Sequence, residues 1–209
     1  MISATVDARA TRPAHDWRAE VVAAVRGGQR LVSLFGRPGG EAVRLTAVTQ
    51  RQDGALGVLR ADVDPAEGYH TLTDDVPPAA VFERELHEAC GVRVRGHPWL
   101  KPIRFSGGAN VDDYPFLHVD GKQVHEVQVG PIHAGVIEPG AFRFLCHGEQ
   151  VLHLEIHLGY QHRGVGALLR GADPWRSGPM VEVVAGDTSI GHGWAWAGAV
   201  EALAGVEPD

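Results

Sequence analysis

Three strand-forming runs, residues 30–35, 41–50 and 55–63, follow one another with only Pro38-Gly39-Gly40 and Gln52-Asp53-Gly54 to turn the chain between them. Glycine and proline at those places suit hairpins, so the sequence predicts a small antiparallel sheet. Helical spacing flanks it. From Asp16 to Arg26 the apolar residues Trp17, Val21, Val22 and Val25 recur at helical intervals, and Gly27-Gly28 supplies the stop. A second helix is expected from Asp74 to Ala89. Two acidic residues and Pro77-Pro78 open it, Val81, Leu86 and Ala89 carry its apolar pattern, Glu83 and Glu85 look to solvent, and Gly91 closes it.

Beyond this helix the chain turns polar and glycine-bearing, with SGGANVDDYP and DGK, which reads as a linker. Residues 1–105 then form a first module, 106–123 the linker and 124–209 a second module. Within the second, 126–129, 141–146 and 150–158 are strand-like, the last two joined by a tight turn at His147-Gly148-Glu149. Helices are expected over 161–170 and 189–203, the latter with Ile190, Trp194 and Ala197 on one side. The expected class is α+β: a small domain with an antiparallel sheet, then a hairpin region and helices. With 209 residues, 44% of them hydrophobic, the chain can bury a sizeable core.

Charge and cysteine usage narrow the function classes. A net charge of −7 leaves no electrostatic footprint for nucleic acid or anionic lipid. Cys90 and Cys146 are far apart with no CxxC, so reduced cytoplasmic thiols are expected, with neither a zinc knuckle nor a disulfide framework. The N-terminus lacks the apolar run of a signal peptide, and no stretch approaches the roughly 20 apolar residues of a membrane span, so membrane association is expected only through partners. Dinucleotide, P-loop, GxSxG and HExxH signatures are missing.

By residue chemistry alone, one constellation could hold a metal. His153, Glu155 and His157 alternate with Leu152, Leu154, Ile156 and Leu158, so in a strand the three polar groups share a face and could bind zinc. The same alternation describes an ordinary half-buried strand with a polar outer face. In GPIHAGVIEPGAFRF, the glycines and prolines at Gly130, Pro131, Pro139 and Gly140 force turns that permit close backbone approach. Glu138 within it reads as a solvated loop glutamate, and His133 as a structural histidine. His162 and Arg163, in LGYQHRG, suit the capping and solvation of a helix start.

Two longer stretches resemble known families. HTLTDDVPPAAVFERELHEACGVRVRGHP, residues 70–98, resembles the 30 kDa subunit of NADH dehydrogenase (complex I), above all in its FERE and GHP elements. Residues 126–163 resemble the start of the large subunit shared by membrane-bound nickel-iron hydrogenases and the 49 kDa quinone-site subunit of complex I. The two in one chain resemble the fused large subunit of group 4 hydrogenases of the formate hydrogenlyase type.

The resemblance implies a subunit of an electron-transfer complex at the inner face of the cytoplasmic membrane, docked to an iron–sulfur small subunit. It places Glu138 and His133 in a proton relay, and His162 and Arg163 beside the partner's iron–sulfur cluster. It also exposes departures. The quinone branch carries a second histidine where this chain has none, which puts direct quinone chemistry in doubt. Where nickel-iron subunits carry a CxxC pair this chain has Ala185 and Thr188, and soft metals need sulfur ligands, so no nickel-iron site and no cofactor in this chain are expected. The second module is expected to be the truncated start of such a subunit, not active alone, and a partner should cover Trp175, Trp194 and Trp196. A zinc-binding protein and a non-redox assembly or scaffold protein are the alternatives.

Overall fold

The computed structural model describes residues 7–8, 11–105, 114–134 and 138–206. It is α+β and falls into two compact units, Met1–Gly135 with Gly140–Leu158, and Val136–Pro139 with Gly159–Asp209. This is a division by compactness. The stretch 106–123 lies inside the first unit, and its residues 106–113 are outside the described ones.

The first unit opens with β1 (Asp7–Ala8) and α1 (Ala14–Arg26), followed by β2 (Arg30–Gly39), β3 (Ala42–Gln50) and β4 (Leu56–Val63). β2, β3 and β4 run antiparallel as expected, and β1 adds a parallel strand beside β4, giving the order β1-β4-β3-β2. Gly40 and Gly54 sit in the two turns at φ 66° and 86°, where a side chain would be strained. α1 lays Trp17 and Val21 into a core with Leu34, Leu45, Ala47 and Ala61. The indole N–H of Trp17 donates to the Leu59 carbonyl at 3.1 Å, and its ring meets Tyr69 edge to face at 5.4 Å. Truncating such a buried aromatic costs about 3–5 kcal/mol.

After β5 (Tyr69–His70), α2 spans Ala79–Cys90 and ends on Gly91 in the left-handed region, whose N–H bonds the His87 carbonyl. It starts five residues later than the sequence suggests, because residues 72–76 form a separate turn with Val76 N–H on the Leu72 carbonyl. Its inner face also differs: Ala79, Glu83 and Leu86 are buried, while Val81 is 59% exposed. The helix packs so tightly on β2 that a Cβ at Gly36 would overlap the Leu86 side chain. β6 (Val94–Arg95) then pairs parallel with β5.

β7 (Val124–Val129), β8 (Ala141–His147) and β9 (Gln150–His157) complete this unit as an antiparallel sheet in the order β7-β8-β9. Gly148, at φ 57°, makes the tight turn between β8 and β9. Register puts Val127, Phe144 and Leu154 in one row and Val129, Phe142 and Ile156 in the next, so these two rows make most of one side of the sheet apolar. That side faces outward: Val127, Val129, Leu154 and Ile156 are each 42–44% exposed, whereas Glu155 on the opposite side is buried. The polar outer face expected for β9 is therefore reversed. Chain crosses over its polar side, where the Arg143 guanidinium lies 4.6 Å over the Phe116 ring.

The second unit contains α3 (Val165–Leu168), α4 (Pro174–Glu182), a single 3-10 turn at Gly186–Thr188 and α5 (Ser189–Ala204). The helix expected over 161–170 shrinks to one turn, started at Gly164, and α4 was not foreseen. Asp173 caps α4 by accepting from the Trp175 N–H at 2.8 Å, with Pro174 in the first turn. Only Ser177 and Val181 of α4 are buried and α5 buries no residue, which leaves Trp175 92% and Trp194 80% exposed while Trp196 is half-buried.

Candidate functional site

A cavity of about 530 Å³ in the second unit gathers most of the residues implied by the hydrogenase-like resemblance. Glu138, Tyr160, His162, Arg163, Val184, Ala185 and Ser189 are among those lining it. Arg163 follows the turn in which His162 N–H reaches the Gly159 carbonyl, and it crosses to the loop after α4. There its guanidinium donates to the carbonyls of Val183 and Val184 at 2.5 and 2.9 Å. Charge-assisted bonds of this kind fix the arginine and the loop together. Downstream, the Thr188 hydroxyl donates to the Ala185 carbonyl at 3.4 Å. Carbonyl, hydroxyl and methyl groups with the Asp187 carboxylate make up this loop, and both cysteines lie in the first unit, so no thiolate is available here for a soft metal.

His133 belongs to the first unit. Its Nε2 donates to the Gly140 carbonyl at 2.9 Å and its ring lies against Phe142, while Nδ1 is buried without a partner among the described residues. The close backbone approach expected of this segment occurs within the chain itself, since a Cβ on Gly130 would run into the Gly140 carbonyl. Glu138 is exposed.

The trio on β9 does not assemble as a metal site; among the described residues no cluster of three histidine, cysteine or acidic groups could hold a metal ion. His153 Nε2 sits 3.7 Å from Glu155 Oε1, but His157 turns its ring onto Phe105 at 4.8 Å. Burial, then the neighbouring charges of Lys101 and Arg84, hold the His157 pKa below its ordinary value. A group pressed by cations is a poor place for another.

The FERE and GHP elements converge on one buried carboxylate. Glu83, expected in solvent, is fully buried and accepts from the Leu72 N–H at 2.7 Å, the Thr71 hydroxyl at 2.5 Å and the Thr73 hydroxyl and N–H at 2.6 and 3.3 Å. His97 of GHP is buried beside it, its Nε2 4.0 Å from Glu83 and 3.3 Å from the Ala80 carbonyl. Arg84 donates to the carbonyls of Lys101 and Pro102, and Glu88 accepts from Ile103 and Arg104 N–H. Burial, and then the Glu83 charge, raise the Tyr69 pKa well above its usual value. Three separated sequence elements are thus tied by one clasp.

Residues 28–117 match the family described as respiratory-chain NADH dehydrogenase, 30 Kd subunit. That stretch is similar to the 30 Kd subunit family. Similarity extends past it. Hydrogenase-4 component G of Escherichia coli K12 is 27% identical over 174 residues, covering 72% of this chain and 31% of that protein. Formate hydrogenlyase subunit 5 of the same organism is 26% identical, covering 71% and 31%. The NADH-quinone oxidoreductase C/D protein of Phocaeicola vulgatus is 27% identical, covering 44% and 24%. The chain therefore spans under a third of the length of these relatives. They are consistent with a fused chain that joins the 30 Kd domain to a large-subunit-like segment.

Within the matched stretch, sequence reasoning missed Lys101. It is 1% exposed, and its ammonium lies 5.1–5.3 Å from the rings of Trp99, Tyr114 and Phe116 while donating to the Ile156 carbonyl at 3.4 Å. The aromatic spacing around the expected linker, Trp99, Phe105, Tyr114 and Phe116, was the available signal.

Proposed function

We propose that the chain is a partial subunit of a complex I-like or hydrogenase-like electron-transfer assembly, held at the inner face of the cytoplasmic membrane by its partners. The observation that carries this reading is similarity over 72% of the chain to a hydrogenase component, reaching beyond the 30 Kd domain. No helix among the described residues is long and apolar enough to cross a membrane, so attachment falls to other subunits. The second unit supplies the docking face for an iron–sulfur small subunit. Its exposed Trp175, Trp194 and Ile190 are the apolar groups such a contact would cover.

In this reading Arg163, anchored on two carbonyls, keeps its charge where a neighbouring cluster would feel it. A fixed guanidinium favours the electron-rich form and so raises the cluster's potential. Glu138 is exposed and would need cover from the partner to serve as a relay, and His133 has one ring nitrogen committed to Gly140. Ala185 and Thr188 supply no sulfur, so hydrogen activation is not assigned to this loop.

Affinity purification from native membranes, followed by mass spectrometry, tests the reading. Recovery of an iron–sulfur small subunit with other oxidoreductase subunits is the expected result. A chain that emerges alone, or that turns over an electron donor by itself, would overturn it.

A further inference from the structure

Residues 114–120 run over the polar side of the β7-β8-β9 sheet as a strap whose alternate side chains take separate anchors. The Tyr114 hydroxyl accepts from the Trp99 indole N–H at 2.7 Å. The Phe116 ring centroid lies 5.1 Å from the Lys101 ammonium and 4.6 Å from the Arg143 guanidinium. His118 meets Glu126 of β7 through Nδ1 at 2.9 Å and Asp120 through Nε2 at 3.1 Å. The backbone bonds here are local, Phe116 N–H to the Tyr114 carbonyl and Val124 N–H to the Gly121 carbonyl, so among the described residues side chains hold the strap to the sheet. Lys101, 1% exposed, is sealed by the rings of Trp99, Tyr114 and Phe116, and the buried Glu155 acts on its charge.

An ionised carboxylate only accepts hydrogen bonds, so bonds from both ring nitrogens require an imidazolium at His118. A neutral ring has one N–H to give and no charge. The charged groups facing the ring are Asp120 on the strap and Glu126 on β7, and Glu126 keeps Arg143 of β8 at 2.5 Å when His118 lets go. Phe116 stands between Tyr114, which Trp99 fixes, and His118. Without the His118 tie its seat rests on the two cation contacts, which are modest where water reaches them. We propose that the strap is a proton-operated cover on Lys101: the His118 imidazolium holds it shut, and the neutral ring lets Phe116 leave the ammonium. The bonds to Glu126, then Asp120, raise the His118 pKa, so the cover is shut below about pH 6.5 and opens as pH rises through the higher folded value.

The sequence holds two lysines, and the exposed Lys122 is an internal reference for amine reactivity at each pH. The full chain is pulsed with acetic anhydride between about pH 6 and about pH 8.5, and the ratio of Lys101 to Lys122 acetylation is read by mass spectrometry. That ratio should rise roughly fivefold, the factor expected from releasing exposed charged ties, with its inflection where the His118 ring titrates by NMR. His118→Gln, which donates without charge, should hold the high ratio throughout. Asp120→Asn, at a fully exposed site, should move the inflection down toward the ordinary histidine value. A flat ratio in the unsubstituted chain, a rise that survives in His118→Gln, or an inflection that Asp120→Asn leaves in place would each overturn the proposal.

Discussion

Glu83→Gln is the sharpest probe of the clasp, because it removes a charge and one acceptor while keeping size. Glu83 Oε1 receives the Leu72 N–H, and Oε2 receives the Thr71 hydroxyl with the Thr73 hydroxyl and N–H. The hydroxyls can rotate and become acceptors, but the two backbone N–H groups cannot. With the new amide nitrogen at the Oε1 position a donor faces the Leu72 N–H; at the Oε2 position the hydroxyls can turn to accept it, and the Thr73 N–H keeps the Thr71 hydroxyl oxygen at 3.0 Å. Either way the charge-assisted bonds are forfeited, about 1.5–3 kcal/mol. A loss of about 2 kcal/mol is expected, or roughly 4–8 °C in melting temperature for a chain this size. Urea unfolding followed by far-UV circular dichroism gives the free energy, and hydrogen exchange at the Leu72 and Thr73 amides locates it. Glu85→Gln, beside the half-buried Arg104 pair, is the control at under about 1 kcal/mol. If both substitutions cost the same, or neither amide exchanges faster, Glu83 does not hold the loop.

Gly36→Ala should destabilise by about 1–3 kcal/mol, because the added methyl meets Leu86 and lies 3.0 Å from Cys90 Sγ; an unchanged urea midpoint would show that α2 can slide on β2. His118 faces Glu126 through Nδ1 at 2.9 Å and Asp120 through Nε2 at 3.1 Å, and these bonds, that to Glu126 first, raise its pKa above the ordinary histidine value. Its fastening of the 118–126 segment is then complete below about pH 6.5 and lost as pH rises through the higher folded pKa. Ring titration by NMR, with exchange rates over 118–126, should show that order, and a pKa at or below the ordinary value contradicts it. Arg163→Ala should speed amide exchange through residues 183–188 in the isolated chain. In the assembled complex it should also lower the partner cluster's potential, read by redox-titrated paramagnetic resonance. An unmoved potential removes the electrostatic role, even if the loop loosens.

The hairpins of β2, β3 and β4 were legible because glycine turns and strand runs alternate without ambiguity, and Gly27 and Gly91 end their helices where expected. Glu83 was misjudged because an acid between helical apolar residues ordinarily points to water. Nothing local reveals that Thr71, Leu72 and Thr73 will fold back to meet it. The same blindness to long-range partners reversed β9: alternation shows that two faces differ, not which one the rest of the chain covers. At the cavity, the hydrogenase-like pattern brought Glu138, His162, Arg163 and Ala185 together, while α4, which carries the loop to Arg163, was hidden by Pro174 and Pro179. His133 was singled out by the same pattern but belongs to the other unit, against Gly140.

A three-stranded sheet that wears Val127, Leu154 and Ile156 on the outside sets a timetable for the cell. Its flank, and its two rims unpaired among the described residues, are surfaces that invite stray strands and hydrophobic debris. Under the proposed subunit reading, synthesis would have to be matched to that of a companion covering this flank, and a surplus of this polypeptide would become work for chaperones and proteases.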